Sequence, residues 1–385
     1  MANSSFPTAL AASVTIIAPA MVVATLGITL PEIRETLLLT EVQAGSLFSV
    51  IFIVAVVASN VAGGLSDRIG RKRVLLTGIS SLSIGFALSG LSWSYALMLI
   101  VLGLVGLGYG FITPSLYALM SDLMPGRRGL ATSLVSVFYG IGGLSGSVIA
   151  SSVTAKAGWR ASFLVIGGIG FLVMLLEMAV VKAPAGKTTA HRSVSWRDAL
   201  SVNLMLLALA EFFGAGVFWS TASWAPTVLR SVKGLSLGET GIVMGAWGIT
   251  PMVGALVLGT LSDRFGRKNV ILWTAYPGAL IALVVYYLLT SPAALGAGLV
   301  LIGILQGSAA PSLVIALTQD SAPPDAIGAA SGMVMSLHYV SAVATPLIAA
   351  QLIVGTGNML LAMALTSAVP FVLFGSLIAG VREKS

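Results

Sequence analysis

The chain has 385 residues, of which 57 % are hydrophobic and 9 % charged, with a net charge of +7 and no cysteine. A soluble globule of this size carries about 25 % charged residues, so this one could not cover its surface. The same figures exclude intrinsic disorder, and the missing cysteine excludes a disulfide scaffold. What remains is a polytopic, all-α membrane protein.

A spanning helix needs about 20 mostly apolar residues. Twelve such spans fit the chain with little left over, near 8–31, 42–65, 74–93, 96–121, 129–153, 161–181, 199–226, 236–261, 270–290, 293–318, 327–353 and 357–380. The first runs into Pro31-Glu32-Ile33-Arg34 without a small-residue cleavage pattern, and reads as a retained span, not a signal peptide. Of the 20 basic residues, only Arg34, Lys156, Arg160, Arg230 and Lys233 fall in one set of loops. The other fifteen mark the opposite set as cytoplasmic, which puts both termini there. The basic residues are scattered over six segments and form no stripe, so no nucleic-acid partner is expected.

The loop after span 2, Gly63-Gly64-Leu65-Ser66-Asp67-Arg68-Ile69-Gly70-Arg71-Lys72, recurs after span 8 as Gly259-Thr260-Leu261-Ser262-Asp263-Arg264-Phe265-Gly266-Arg267-Lys268. Pro114-Ser115-Leu116 recurs as Pro311-Ser312-Leu313, and Gly129-Leu130-Ala131-Thr132-Ser133 is echoed by Gly328-Ala329-Ala330-Ser331-Gly332. The chain is therefore two copies of one plan: a first bundle over 1–182, a polar linker over 183–198 and a second bundle over 199–385. In each loop the first glycine is expected where helix backbones approach closely. The last, Gly70 or Gly266, is expected to permit a turn that a Cβ disfavours. Asp67 and Asp263 are placed to cap the following helix, and Arg68, Arg71, Lys72, Arg264, Arg267 and Lys268 to make charge-assisted contacts across each bundle. Asp122 with Arg127 and Arg128, at the end of span 4, is a partner set for them.

With its doubled Gly-x-x-x-Asp-Arg-x-Gly-Arg-Lys signature, the Arg128-Gly129 pair and the Gly158-Trp159-Arg160-x-x-Phe163 run, the chain resembles the major facilitator superfamily over nearly its whole length. The resemblance implies two pseudo-symmetric six-helix bundles around a cavity that opens alternately to either side. It also implies that the doubled loop is a cytoplasmic latch favouring the outward-facing state. The alternative is that the loop only marks topology and binds anionic lipid headgroups.

Ionisable residues at bilayer depth are costly and usually functional. Glu177, in span 6, lies five residues before Lys182 and is expected to reach the interface. Glu211, in span 7, shares a helical face with Gly214, Ala215, Phe218 and Ala222, and Trp219 flanks it. It could bind a cationic group, carry a coupling proton, or serve as structural glue between helices. His338, in span 11, heads a polar stripe with Ser331, Ser341 and Thr345, and could take up a proton or simply pack. Position in the spans adds Tyr109 and Tyr117 in span 4, Tyr139 in span 5, Trp247 in span 8 and Gln306 in span 10. Trp93, Trp159, Trp224 and Trp273 read as interfacial anchors. The glycine-rich span 5, Gly140-Ile141-Gly142-Gly143-Leu144-Ser145-Gly146, offers a close-packing surface between the halves.

No Lys or Arg falls in the middle of a span, which argues against a multiply charged anion as substrate. Two histidines and no cysteine argue against a metal site, and no cofactor is expected. The spans hold no His-Glu-x-x-His, Gly-x-Ser-x-Gly or paired-acid motif, so an enzyme is not expected. The reading is a monomeric secondary transporter of a small organic solute, proton-linked and surrounded by membrane lipid. A multidrug or metabolite efflux antiporter and a non-transporting sensor or lipid-handling protein are the alternatives.

Overall fold

The computed structural model describes residues 5–124, 128–181, 201–307, 313–323 and 327–382. Every regular element among them is a helix. In chain order they are α1 (Phe6–Leu37, with a turn at 15–16), α2 (Glu41–Ile69), α3 (Arg71–Ser89) and α4 (Tyr95–Leu123). The helix Arg128–Val180 is interrupted at Gly158, at φ +78°, and divides there into α5 (128–157) and α6 (159–180). Then follow α7 (Val202–Ser231), α8 (Leu237–Phe265, broken at Ile249), α9 (Arg267–Tyr287), α10a (Pro292–Gly307), α10b (Val314–Ser321), α11 (Ile327–Thr356) and α12 (Met359–Gly380). These match the twelve expected spans in order. The expected linker, 183–198, lies outside the described residues.

Among the described residues nine helical stretches are long and apolar enough to cross a membrane, and Leu130–Val180 counts once among them although it holds two spans. The exceptions have visible causes: α3 opens on Arg71-Lys72-Arg73 and is rich in Ser, and α10a is short by itself.

Helix starts follow the sequence. Thr40 and Ser236 make reciprocal capping boxes with Gln43 and Glu239, and Ser94, Ser201 and Asn358 accept from backbone N–H groups of α4, α7 and α12. α3 and α9 begin differently. Their N-cap residues are Gly70 and Gly266, at φ +93° and +84°, so the expected glycine turn is present. Asp263 does not occupy the N-cap of α9. It lies inside α8 and is exposed, because the helix continues through it to Phe265. The side chain of Asp67 lies outside the described residues.

The described chain falls into two compact units. The first comprises Met1–Thr189 and Leu235–Met252, and so includes the first half of α8 from the second repeat. Its core is built by close backbone contact. Gly106 and Gly110 of α4 face Ile51 and Ala55 of α2, while Gly108 faces Gly78 of α3. The glycines of α5 serve two neighbours: Gly142 and Gly146 lie against Ile17 and Met21 of α1, and Gly143 lies against Gly248 of α8. Gly63 and Gly259 depart from expectation. No described atom lies within 4 Å of where a Cβ would stand on either one, so neither marks a close approach to another described helix of its own unit.

The second unit comprises Ala190–Gly234 and Val253–Ser385. Leu204, Leu207, Ile271, Val314, Val334 and Phe374 join its helices in one apolar cluster. The indole of Trp224 is fully buried in this unit, and its Nε1 donates to the Pro346 carbonyl at 3.0 Å. Trp224 is therefore a core residue, contrary to its reading as an interfacial anchor. Trp159 is likewise buried, donating to Thr36 Oγ1 at 3.1 Å. Trp93 and Trp273 are exposed, as expected of anchors.

Candidate functional site

In the second unit, α7, α10a and α11 bring together four residues that the sequence singled out separately. Glu211 is fully buried on α7, and its Oε1 lies 2.7 Å from Nδ1 of His338 on α11. The two are 127 residues apart, and nothing in their local sequence marks them as partners. Two ionisable groups at bilayer depth nevertheless have a physical reason to meet: each offsets the other's loss of water.

One helical turn beyond Glu211, the Gly214 carbonyl accepts from Gln306 Nε2 at 2.9 Å. Gln306, on α10a, is buried. Aromatic rings close the group: Trp219 meets His338 edge-on at 5.9 Å, Phe218 meets Trp219 at 5.0 Å, and Tyr339 meets His338 at 5.8 Å. The polar stripe of α11 continues with Ser341 and Thr345, whose hydroxyls are 3.2 Å apart and face the backbone of Gly216. The small residues of α7 thus let a polar helix face come close. Two buried acceptors at this site, Glu211 Oε2 and Gln306 Oε1, receive no hydrogen bond from any described residue.

Tyr109, Tyr117, Tyr139 and Trp247 belong to the first unit. There Tyr109 is buried and meets Phe52 edge-on at 5.2 Å, Trp247 is buried in the first half of α8, Tyr139 is half-buried and Tyr117 is exposed. Pro311 lies outside the described residues.

The sequence misplaced Glu177. Its side chain does not reach outward to an interface. It is 1 % exposed, and Oε1 accepts from Thr15 Oγ1 at 2.7 Å. Thr15 sits in the turn that interrupts α1, so its position there accounts for the contact.

The doubled loop makes the same contacts in both units. Arg71 donates to the Ala118 carbonyl at 2.5 Å and pairs with Asp122 at the end of α4. Arg267 donates to the Ala316 carbonyl at 2.7 Å and pairs with Asp320 at the end of α10b. Lys72 donates to the Met178 carbonyl in the last turn of α6 at 2.9 Å. Lys268 donates to the Ala379 and Val381 carbonyls at the end of α12, at 2.9 and 2.7 Å. Each loop therefore ties three helices of its own unit and satisfies carbonyls that a helix end leaves free. Asp122 was among the expected partners; Asp320 and the carbonyl acceptors were not. Arg68 and Arg264 are exposed, and the side chain of Arg128 lies outside the described residues.

A profile of the Major Facilitator Superfamily matches residues 12–346. The multidrug resistance protein MdtG of Serratia proteamaculans is 29 % identical over 304 residues, covering 74 % of this chain and 72 % of that one. The gallate transporter of Pseudomonas putida is 25 % identical over 291 residues, covering 65 % and 64 %. Among solved structures, a point mutant of the nucleoside transporter NupG superposes with a TM-score of 0.80 at 14 % identity, over 97 % of this chain and 99 % of that one. That likeness speaks to the fold, and the profile match to ancestry: the chain belongs to the Major Facilitator Superfamily of transport proteins.

Proposed function

We propose that the chain is a secondary active transporter that moves a small organic solute across the cytoplasmic membrane by alternating access, with protons as the coupling ion. The two repeats, 1–182 and 199–385 joined by 183–198, are the moving halves, and both termini are cytoplasmic. The doubled loops with Asp122 and Asp320 are the latch, and Glu211 with His338 is the coupling site.

The observation that carries this reading is the buried contact at 2.7 Å between Glu211 and His338. A carboxylate and an imidazole in contact can share one proton. Taking up or losing that proton changes the net charge of the pair by one unit in a medium of low dielectric, where charge is felt strongly. Such a change biases two conformations that expose the pair differently.

Efflux by proton antiport is the second reading, favoured by the relative named for multidrug resistance. A thermal-shift screen of the purified protein against a metabolite panel supplies a test solute, since a ligand of the folded state raises apparent stability. Uptake of that solute into proteoliposomes under an imposed pH gradient then tests the proposal. Accumulation when the outside is acidic supports symport, and accumulation when the inside is acidic supports antiport. Uptake indifferent to the gradient contradicts proton coupling.

A further inference from the structure

Glu211 Oε2 and Gln306 Oε1 are hydrogen-bond acceptors, both buried, and neither receives a donor from any described residue. Buried polar atoms are nearly always paired, and each exception calls for a physical reason, an absent water, ion or ligand among them. The two atoms are not independent accidents. Gln306 is anchored on the Gly214 carbonyl, one turn from Glu211 on the same helix. That carbonyl can only accept, so the glutamine must turn its NH₂ toward it and keep its oxygen for something else. His338 occupies only one oxygen of Glu211 and leaves the other open.

The charge inventory sharpens the point. In α7, α10a, α10b and α11 together the sole Lys or Arg is Arg230, at the far end of α7. No lysine or arginine of these helices therefore stands near Glu211 to hold a carboxylate, sulfonate or phosphate, and the one imidazole there, His338, is already engaged by Glu211. The rings of Trp219 and Phe218, edge to face at 5.0 Å, supply an apolar wall whose π-faces favour a cation.

We infer that this site binds the nitrogen end of its solute: an organic ammonium or a carboxamide that donates N–H to Glu211 Oε2 and Gln306 Oε1, with its apolar body against Trp219. The inference rests on the reading of Glu211 as part of the transport site. It separates this chain from the relative named for gallate, whose solute is an acid.

Three probes that share one ring test it: phenethylamine, phenylacetamide and phenylacetate, each titrated at millimolar concentration against the purified full-length protein while thermal unfolding is followed. The amine and the amide are expected to raise the midpoint, and the acid to leave it unchanged. Gln306→Met is expected to weaken the amide at least tenfold, and Glu211→Gln to weaken the amine at least tenfold. The unliganded midpoint of each variant shows whether it has folded, and Gln306→Glu, which keeps an acceptor, is expected to retain the amine. A shift with phenylacetate equal to that with the amine overturns the inference. So does the absence of any shift with both donor probes, or shifts that survive in both Met and Gln variants. Proton-driven flux is measured separately. Selective donor binding without such flux in the wild type supports this inference and defeats the transport reading. Flux lost in Glu211→Gln while probe binding is unchanged does the reverse.

Discussion

Glu211 and His338 stabilise each other only as a pair. Removing one partner of a buried pair leaves an uncompensated polar or charged group, at a cost of about 3–5 kcal/mol. His338→Ala is therefore expected to lower the denaturation midpoint markedly, and Glu211→Gln added to it is expected to recover much of the loss, because an amide tolerates burial better than a carboxylate. A double-mutant cycle measures this coupling, and strictly additive effects would show that the pair does not interact. The glycines of the doubled loop divide in a similarly testable way. Gly70 and Gly266 lie at φ +93° and +84°, so alanine at either should cost about 1–3 kcal/mol. Gly63 and Gly259 stand in open space, and alanine there should fall within about 0.5 kcal/mol of the wild type. Equal losses at all four positions would mean that backbone conformation is not what the motif selects.

Helices were the most legible elements of this sequence, because hydrophobic length and polar breaks fix them without tertiary information. Thr40, Ser94 and Ser236 cap their helices for an equally local reason, a side-chain oxygen facing free backbone N–H groups. Misreadings arose where a neighbouring helix decides. Trp224 has the composition of an anchor, but the Pro346 carbonyl of α11 claims its N–H inside the unit. Glu177 looks able to reach water, but the turn in α1 presents Thr15 to it first. At the candidate site, Glu211, His338, Gln306 and Trp219 were each visible as residues out of place in an apolar span. Their convergence was not, since α7, α10a and α11 meet only in three dimensions. Close helix contact was likewise expected at Gly63 and found instead at Gly106, Gly108 and Gly110 of α4. Leucine at Gly108 has no room against the Gly78 carbonyl and Leu82, and is expected to abolish folding, with loss of the monodisperse peak in size-exclusion chromatography. A folded, monodisperse variant would show that α3 and α4 are less tightly packed than described.

Duplication shapes the whole molecule. An arginine from each loop holds a carbonyl and an aspartate at the end of the fourth helix of its half, Asp122 in one and Asp320 in the other. Half-exposed pairs of this kind contribute about 0–1 kcal/mol to stability, too little to explain them as struts. In the proposed cycle they act on the balance between two states of similar free energy, where such an increment matters. Asp122→Asn and Asp320→Asn are accordingly expected to leave the denaturation midpoint nearly unchanged and to alter the transport rate or the accessibility of either face to labelling. A large loss of stability with an unaltered rate would make them structural after all. The central claim remains that one buried carboxylate couples proton and solute movement. Its most direct test places wild type and Glu211→Gln in dye-loaded proteoliposomes and measures both pH-driven accumulation and solute exchange at equal pH. The account predicts that Glu211→Gln loses accumulation and solute-induced proton movement while exchange persists at solute concentrations high enough to offset its weaker binding; full pH-driven accumulation by that variant would contradict it.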